Sequence, residues 1–291
     1  MRASTLTTMN LIDISSWQAG IDLSKLFADN PLDGVIVKAT QGTGYVNPDY
    51  AKWVKWLLEN GKPFGVYHYL DSADPEKQAD HFYDVVKPYI GVSIPVADFE
   101  GDALANGVTW LRRFLERFYG LSGVKCMIYC SLSVCKSLTG LTDYPLWIAQ
   151  YADMATVNGF LDKPWQSGSV APWGGYVMHQ YTSCGRLTGY SGNLDFDKFY
   201  GTVEDWNRLC GAEGTIPPDK KPVDPYIVGQ VLDGKYGTGI ERISRLNADG
   251  YDGQAVQDKV NELYAIALSC KRYTRGNEEY LNSITKIVRL L

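Results

Sequence analysis

Short apolar runs typical of buried strands alternate with helical runs along most of the first 150 residues. Helical patterns follow at least five of the strand candidates, and a strand–helix alternation of this kind favours a parallel sheet. The eight strand candidates are residues 10–14, 34–38, 63–69, 94–100, 125–129, 145–149, 175–180 and 192–196. Eight such strands close most simply into a barrel. Because the helical pattern fades after the sixth candidate, we predict an irregular α/β, TIM-like (β/α) barrel of about five β/α units followed mostly by β structure.

Two acids end the fourth strand candidate, in the run Ile94-Pro-Val-Ala-Asp-Phe-Glu100. Residues two apart in an extended chain point to the same face, so Asp98 and Glu100 would share one. Repulsion and partial burial would then keep one carboxyl protonated near neutral pH, beside an ionised partner. This pairing is what a glycosidase requires. Taken alone, the same run could equally be a loop with two solvated acids.

Polar and acidic residues collect where the strand candidates end, which is where barrels hold their reacting groups. The residues at these ends are Asp13, Lys38 to Thr40, His68 with Tyr69, Asp98 with Glu100, Tyr129, Gln150 with Tyr151, Gln180 with Tyr181, and Asp195. Scattered loop acids would not collect at strand ends so regularly, so this distribution favours the catalytic interpretation. His68 is at least as well explained as a structural histidine with satisfied ring nitrogens.

Composition excludes several other classes of function. The net charge of −5 argues against nucleic-acid binding, and no run is long enough to insert into a membrane. The 8 Trp and 20 Tyr suit sugar stacking as well as a large core. The six cysteines lack zinc-ligand spacing, and we expect no cofactor. A polar start without a signal-peptide pattern predicts synthesis in a reducing cytoplasm.

The composition changes near Gly211, and we place the barrel at residues 10–211. A Pro-, Gly- and Lys-rich linker over 212–224 is followed by a unit of three short helices at 225–262 and a helical extension at 263–291. Apolar residues line one face of the extension: Tyr280, Leu281, Ile284, Ile287, Val288 and Leu291. This face covers either the third helix of its own unit or a second copy of the chain, which would make a homo-oligomer.

The first 210 residues resemble glycoside hydrolase family 25, the Chalaropsis-type lysozymes common among phage endolysins. Seven motifs in family order carry the resemblance. They are Ile12-Asp-Ile-Ser-Ser-Trp-Gln18, Lys38-Ala-Thr-Gln-Gly-Thr-Gly-Tyr45, Gly65-Val-Tyr-His-Tyr69, Val96-Ala-Asp-Phe-Glu100, Leu146-Trp-Ile-Ala-Gln-Tyr151, Gln180-Tyr-Thr182 and Gly192-Asn-Leu-Asp195. Many members carry Glu where this chain has Gln41. We expect activity to survive this change, with a difference in subsite preference or pH dependence.

The resemblance implies a retaining muramidase that cleaves the β-1,4 bond between N-acetylmuramic acid and N-acetylglucosamine in peptidoglycan. Glu100 would act as general acid and base, with Asp98, Asp195 and Asp13 around it. Whether the nucleophile is a carboxylate or the acetamido group of the substrate is left open. Candidates for substrate binding are Tyr67, Tyr69, Tyr129, Tyr151, Gln180 and Lys38, while Trp147 is better explained as barrel core.

Residues 226–261 resemble the short cell-wall-binding repeat of choline-independent phage lysins, through Val231-Leu-Asp-Gly-Lys-Tyr-Gly-Thr-Gly239 and Gly250-Tyr-Asp252. The resemblance implies binding of a peptidoglycan muropeptide. Arg242 is the first candidate for a ligand carboxylate, with Tyr236 and Asp252 nearby. The alternative for Arg242 is an ion pair on the helix surface with Glu241 or Asp252.

Together these features predict an endolysin that is made in the host bacterial cytoplasm and released to act on the cell wall. A non-hydrolytic wall-binding protein with a decayed barrel is the rival, and the retained acids argue against it. Cleavage of the wall at an amide bond would need zinc ligands or a Cys/His pair, neither of which is evident.

Overall fold

The computed structural model describes residues 8–211, 221, 223–237, 242, 243, 245, 246, 249–251, 253, 255–257, 259–261 and 263. The chain forms two compact units that divide between Glu213 and Gly214. Most of the predicted linker, and the predicted extension beyond residue 263, lie outside the described residues. The apolar face from Tyr280 to Leu291 therefore stays a prediction.

Eight strands of the first unit close into a barrel, which confirms the predicted fold. In the described residues the strands are β1 (Thr8–Ile14), β2 (Gly34–Gln41), β3 (Tyr45–Val46), β4 (Phe64–Tyr69), β5 (Ile94–Asp98), β6 (Met127–Ser131), β7 (Leu146–Ala149), β8 (Val157–Asn158), β9 (Met178–Arg186) and β10 (Leu194–Tyr200). Neighbours from β1 to β9 pair parallel, in the order β1, β2, β4, β5, β6, β7, β9. β10 is antiparallel to both β9 and β1 and closes the circle.

Helices cover the outside of the barrel and bury one face each. They are α1 (Leu23–Asp29), α2 (Tyr50–Glu59), α3 (Pro75–Val86), α4 (Gly107–Ser122), α5 (Leu132–Cys135) and α6 (Val203–Leu209), with α7 (Pro225–Leu232) in the second unit. α3 begins at Pro75, and the Asp74 carboxylate caps it by accepting from the Lys77 amide. The Phe82 ring of α3 stacks on Phe118 of α4, with ring centroids 4.9 Å apart. Among the described residues, no helix is both apolar enough and long enough to span a membrane.

Apolar side chains fill the end of the barrel where the parallel strands begin. Leu11, Ile36 and Val96 lie in this interior cluster, which includes Trp206 of α6. Thr8 at the start of β1 pairs with Tyr200 at the end of β10, so α6 follows at this end. Trp206 packs edge-on against Phe199, with ring centroids 5.2 Å apart. The opposite end, where the parallel strands finish, is therefore left for polar side chains.

The last two barrel strands differ from their predicted ranges, and β10 also differs from the predicted direction. Residues 175–180 were expected for β9 and 192–196 for β10, but the strands span Met178–Arg186 and Leu194–Tyr200. Asp195 therefore lies near the beginning of β10, not at its C-terminal end. Because β10 runs antiparallel to β1, its beginning reaches the same edge as the C-terminal ends of the parallel strands.

The second unit has an apolar core of its own. Ile227, Val228 and Val231 of α7 pack with Leu246, Val256 and Val260. α7 begins at Pro225, and the Asp224 side chain caps it through the Ile227 amide at 3.0 Å. Further helical residues are found at 242, 243, 245 and 246, and again at 253, 255–257, 259–261 and 263. The backbone of Lys221 bridges to that of Tyr251.

Candidate active site

Asp98 and Glu100 lie where β5 leaves the barrel. The Phe99 side chain between them is buried in the outer layer and stacks on Trp110, with ring centroids 6.5 Å apart. Alternation along the chain therefore turns Asp98 and Glu100 to the side opposite Phe99. Hydrogen bonds to the neighbouring strands hold the segment, since the Phe99 amide donates to the Tyr129 carbonyl oxygen at 2.9 Å.

The backbone after Glu100 passes close to a tyrosine hydroxyl. Gly101 has a φ of +55°, and a Cβ placed on it would lie 2.6 Å from the Tyr69 hydroxyl oxygen. Glycine is required here because a side chain would collide with Tyr69 and would also disfavour the left-handed backbone. This close approach positions Tyr69 beside the backbone that carries Glu100.

Asp13 and Asp195 face each other as a register pair between β1 and β10. Asp13 is 8% exposed, and its Oδ2 accepts a hydrogen bond from Gln180 Nε2 at 2.6 Å. The Oε1 atom of Gln180 accepts from the Tyr129 hydroxyl at 2.8 Å and from the Tyr151 hydroxyl at 2.6 Å. Three predicted substrate-binding residues thus form one network that holds Asp13.

Burial raises the pKa of all four predicted catalytic acids. The pKa of Asp13 and that of Asp98 lie well above the ordinary value, first through burial and then through neighbouring carboxylates. Burial, and then the charge of Glu100, raises the pKa of Asp195 to about 6. Burial also raises the pKa of Glu100, against the opposing effect of Lys38. These mutual effects place the four carboxyls in one electrostatic cluster that favours retained protons.

Lys38 brings a positive charge to this cluster. Its Nζ lies 4.6 Å from the centre of the Tyr69 ring and 6.0 Å from that of Tyr67. Burial lowers the pKa of Lys38, while Asp98 and Glu100 act in the opposite direction. Nζ also donates to Gln41 Oε1 at 2.7 Å. Gln41 therefore contacts Lys38 without neutralising it, so the lysine charge stays directed at the two acids of β5.

A fifth carboxyl, that of Asp197, was missed in the sequence. Asp197 is fully buried on β10, and its Oδ1 accepts from Trp147 Nε1 at 3.0 Å. Burial and then the charges of Asp13 and Asp195 raise its pKa well above the ordinary value. The spacing between Asp195 and Asp197 matches that between Asp98 and Glu100, but the predicted strand ended at residue 196 and so excluded Asp197. Trp147 is buried in the barrel interior, as expected for core.

The remaining predicted residues of the barrel divide between the site and the core. The Tyr67 hydroxyl lies in the field of the acids, because burial and then the charges of Asp13 and Asp98 raise its pKa. His68 is fully buried, with Nδ1 2.7 Å from Thr40 Oγ1 and Nε2 3.2 Å from Gln78 Oε1. Burial lowers the pKa of His68 to about 3, so the ring is neutral and structural.

In the second unit, Arg242 forms internal hydrogen bonds. Its Nε and one terminal nitrogen donate to the Gly237 carbonyl oxygen at 3.0 and 2.9 Å, and the other donates to Gln257 Oε1 at 2.8 Å. The Tyr236 hydroxyl donates to Asp249 Oδ2 at 2.8 Å. Asp252 lies outside the described residues. An open cavity of about 320 Å³ is lined by Gln230, Lys235, Tyr236, Arg245 and Asp249.

A barrel that gathers partly buried carboxyls at one edge is suited to carboxylate-dependent hydrolysis of a glycosidic bond. The chain belongs to the glycosyl hydrolases family 25, whose family model matches residues 12–190. A second family model, the CW_7 repeat, matches residues 226–264. The two matches fall in the two compact units of the chain.

Relatives match the chain in sequence and in structure. The autolytic lysozyme of Clostridium acetobutylicum is 29% identical, over 89% of this chain and 73% of its own length. The lysozyme of Streptococcus phage Cp-7 is 28% identical, over 87% and 69%. The N,O-diacetylmuramidase of a Chalaropsis species is 27% identical, over 58% and 92%. The bacterial lysozyme from Streptomyces coelicolor matches 72% of this chain and 99% of its own with a TM-score of 0.60 at 22% identity, and shares the fold.

Proposed function

We propose that this chain is a peptidoglycan hydrolase of the muramidase type. It cleaves the β-1,4 bond between N-acetylmuramic acid and N-acetylglucosamine, and it serves bacterial lysis as an endolysin. The observation that carries the proposal is the gathering of Asp13, Asp98, Glu100 and Asp195 at one edge of a family 25 barrel. The lysozymes of a phage and of Clostridium acetobutylicum, and a muramidase, among its relatives support the same substrate.

Glu100 is proposed as the general acid and base. It is half-buried, whereas Asp13 and Asp98 are 8% and 7% exposed, so Glu100 is the more accessible of these acids to a bound sugar. Its raised pKa favours the protonated carboxyl that a departing glycosidic oxygen requires. Once it has given up that proton, Glu100 takes one from the attacking water in the second step.

Asp98 is proposed to assist the substrate's acetamido group, which would act as the nucleophile. Its Oδ1 is buried without a hydrogen-bond partner, an arrangement that leaves an acceptor for the acetamido N–H. The acetamido oxygen would attack the anomeric carbon, forming a cyclic oxazolinium that water later opens with net retention. Direct attack by Asp98 or Asp195 is the alternative route to the same stereochemistry.

The bond that is cut is the direct test of this function. We expect digestion of purified peptidoglycan to release fragments whose new reducing end is N-acetylmuramic acid. Borohydride reduction followed by mass spectrometry would then detect the alcohol of N-acetylmuramic acid. The alcohol of N-acetylglucosamine as the new end, or free stem peptides without new reducing ends, would contradict the proposal. Product that is first formed as the β anomer in NMR spectra would support retention.

The CW_7 unit is proposed to hold the enzyme on its substrate. The cavity of this unit combines a lysine, an arginine, a carboxylate and a tyrosine ring, which suits the sugars and charged stem peptide of a muropeptide. In this proposal Arg242 has a structural role and does not bind the ligand directly. Its hydrogen bonds to Gly237 and Gln257 brace the unit beside the cavity. Self-association through residues 277–291 stays a prediction.

Removal of the Tyr236 ring is expected to weaken wall binding about tenfold, since aromatic anchors dominate such sites. Sedimentation with purified cell walls measures this, in a Glu100→Gln background that leaves the walls undigested. Tyr226→Ala is the matched control, because Tyr226 is 70% exposed and does not line the cavity. Equal binding by Tyr236→Ala and Tyr226→Ala would exclude the cavity as the wall-binding site.

A further inference from the structure

Trp17 presents its indole ring to solvent at the edge of the barrel that carries the acids. It lies in a 3₁₀ helix, Ser16–Gln18, that follows β1 and Asp13 directly. The side chain is 89% exposed, although its backbone is firmly held. The Ser15 amide donates to Gln18 Oε1 at 2.9 Å, and the Trp17 amide donates to Ser15 Oγ at 3.3 Å. This hydrogen-bonded turn holds the indole ring in solvent, and no other described residue covers the ring.

A second exposed ring lies beside this turn. Tyr45 of β3 is 41% exposed, and its hydroxyl donates to Ser16 Oγ at 3.3 Å. The Tyr45 carbonyl oxygen lies 3.0 Å from His81 Nε2 of α3, which anchors the other side of the strand. This hydrogen bond to Ser16 ties the segment that carries Trp17 to the strand that carries Tyr45. We call these two residues the aromatic shelf.

The aromatic shelf is continuous with the acid cluster. Lys38 Nζ lies 5.7 Å from the centre of the Tyr45 ring and 4.6 Å from that of Tyr69. The Tyr69 hydroxyl in turn lies against Gly101, the residue after Glu100. A line of neighbouring groups therefore runs from the backbone after Glu100 through Tyr69 and Lys38 to Tyr45 of the shelf.

From this line we propose that the aromatic shelf is a further sugar subsite, which binds a pyranose ring of the glycan strand beyond the two sugars at the cleaved bond. Scattered exposed apolar residues need no explanation, but two exposed rings on tethered segments beside a site mark a binding surface. The C–H face of a pyranose packs on an aromatic ring and removes both from water. The proposal rests on the proposed function, since the occupant is the same strand that Glu100 cleaves.

The test is the dependence of cleavage on strand length. Glycan oligomers of increasing numbers of disaccharides would be cleaved by wild type and by Trp17→Ala, with kcat/KM measured for each length. We expect equal values on the shortest cleavable oligomer and a loss of about tenfold on long ones, carried by KM with kcat unchanged. Trp17→Phe should fall between the two and keeps the test valid if the alanine variant misfolds. Tyr119→Ala is the control, since Tyr119 is 45% exposed in the last turn of α4.

Each outcome separates the subsite from the function itself. No cleavage of any oligomer by wild type would refute the proposed function. Cleavage by wild type with the same ratio between wild type and Trp17→Ala at every length would refute the subsite alone. A dimer in sedimentation that Trp17→Ala dissolves would show that the shelf binds a second copy, and would also overturn the sugar assignment.

Discussion

Replacement of Glu100 by glutamine is expected to lower the release of reducing ends from peptidoglycan by about 10²- to 10⁴-fold. Glutamine keeps the size of the side chain and its hydrogen-bonding atoms, but it has no proton to give to the leaving oxygen. The effect should appear in kcat, because the lost interaction forms only as the glycosidic bond breaks. A colorimetric reducing-end assay on purified walls measures it directly.

Glu116→Gln is the matched control for this variant. Glu116 is an exposed glutamate on α4, outside the acid cluster, so its replacement should leave the rate unchanged. Wall binding by Glu100→Gln should also be unchanged, which would show that the chemistry and not the attachment is lost. If Glu100→Gln and the wild type released reducing ends equally, Glu100 would not be the general acid.

Replacement of Asp195 by asparagine is expected to stabilise the folded barrel near neutral pH while it lowers activity. The pKa of Asp195 is raised to about 6 by burial and by Glu100, from an ordinary value of 3.8. Between these two values the folded state keeps a proton that the unfolded chain releases, so the free energy of unfolding falls as the pH rises. Asparagine cannot ionise. We therefore expect a gain on the order of 2 kcal/mol near neutral pH, which disappears below about pH 4.

Denaturant unfolding at a series of pH values tests this expectation. All eight tryptophans lie between Trp17 and Trp206, so tryptophan fluorescence follows the barrel unit alone. Asp143→Asn is the control, because the pKa shift of Asp143 has the opposite sign: a hydrogen bond from Lys125 lowers it. It should give no stabilisation near neutral pH. A gain for Asp195→Asn that was equal at all pH values would mean that charge was not its cause.

The alternation of strands and helices predicts most of the barrel, because local periodicity reports which face of each element is buried. It fails at β10, whose direction depends on how the barrel closes and not on its own residues. Asp195 was reached from the premise that it ends a parallel strand. It belongs to the acid cluster because β10 runs the other way. The resemblance to the family identified Asp195, although the strand pattern alone predicted the wrong direction for β10.

Among single residues, the sequence was most informative about Asp13, Asp98 and Glu100. Asp197 was passed over because only the strand's full length shows that it shares a face with Asp195. Trp17 lies within the first of the seven family motifs, but its exposure is a property of the folded chain that no local sequence pattern predicts. Arg242 was predicted to bind a ligand carboxylate because of its charged guanidinium group. Its hydrogen bonds to Gly237 and Gln257 depend on how the second unit folds back on itself.

The hydrogen bonds of Gln180 fix the orientation of its amide group beside the acid cluster. Two phenols donate to its amide oxygen, so the amide cannot turn over without presenting N–H groups to two donors. Its own N–H is therefore committed to Asp13, where it lowers the pKa against the effect of burial. The pKa values of the four carboxyls are therefore set by different neighbours. On the β1 side the Gln180 amide opposes the rise in the pKa of Asp13, and on the β5 side the charge of Lys38 opposes the rise for Asp98 and Glu100.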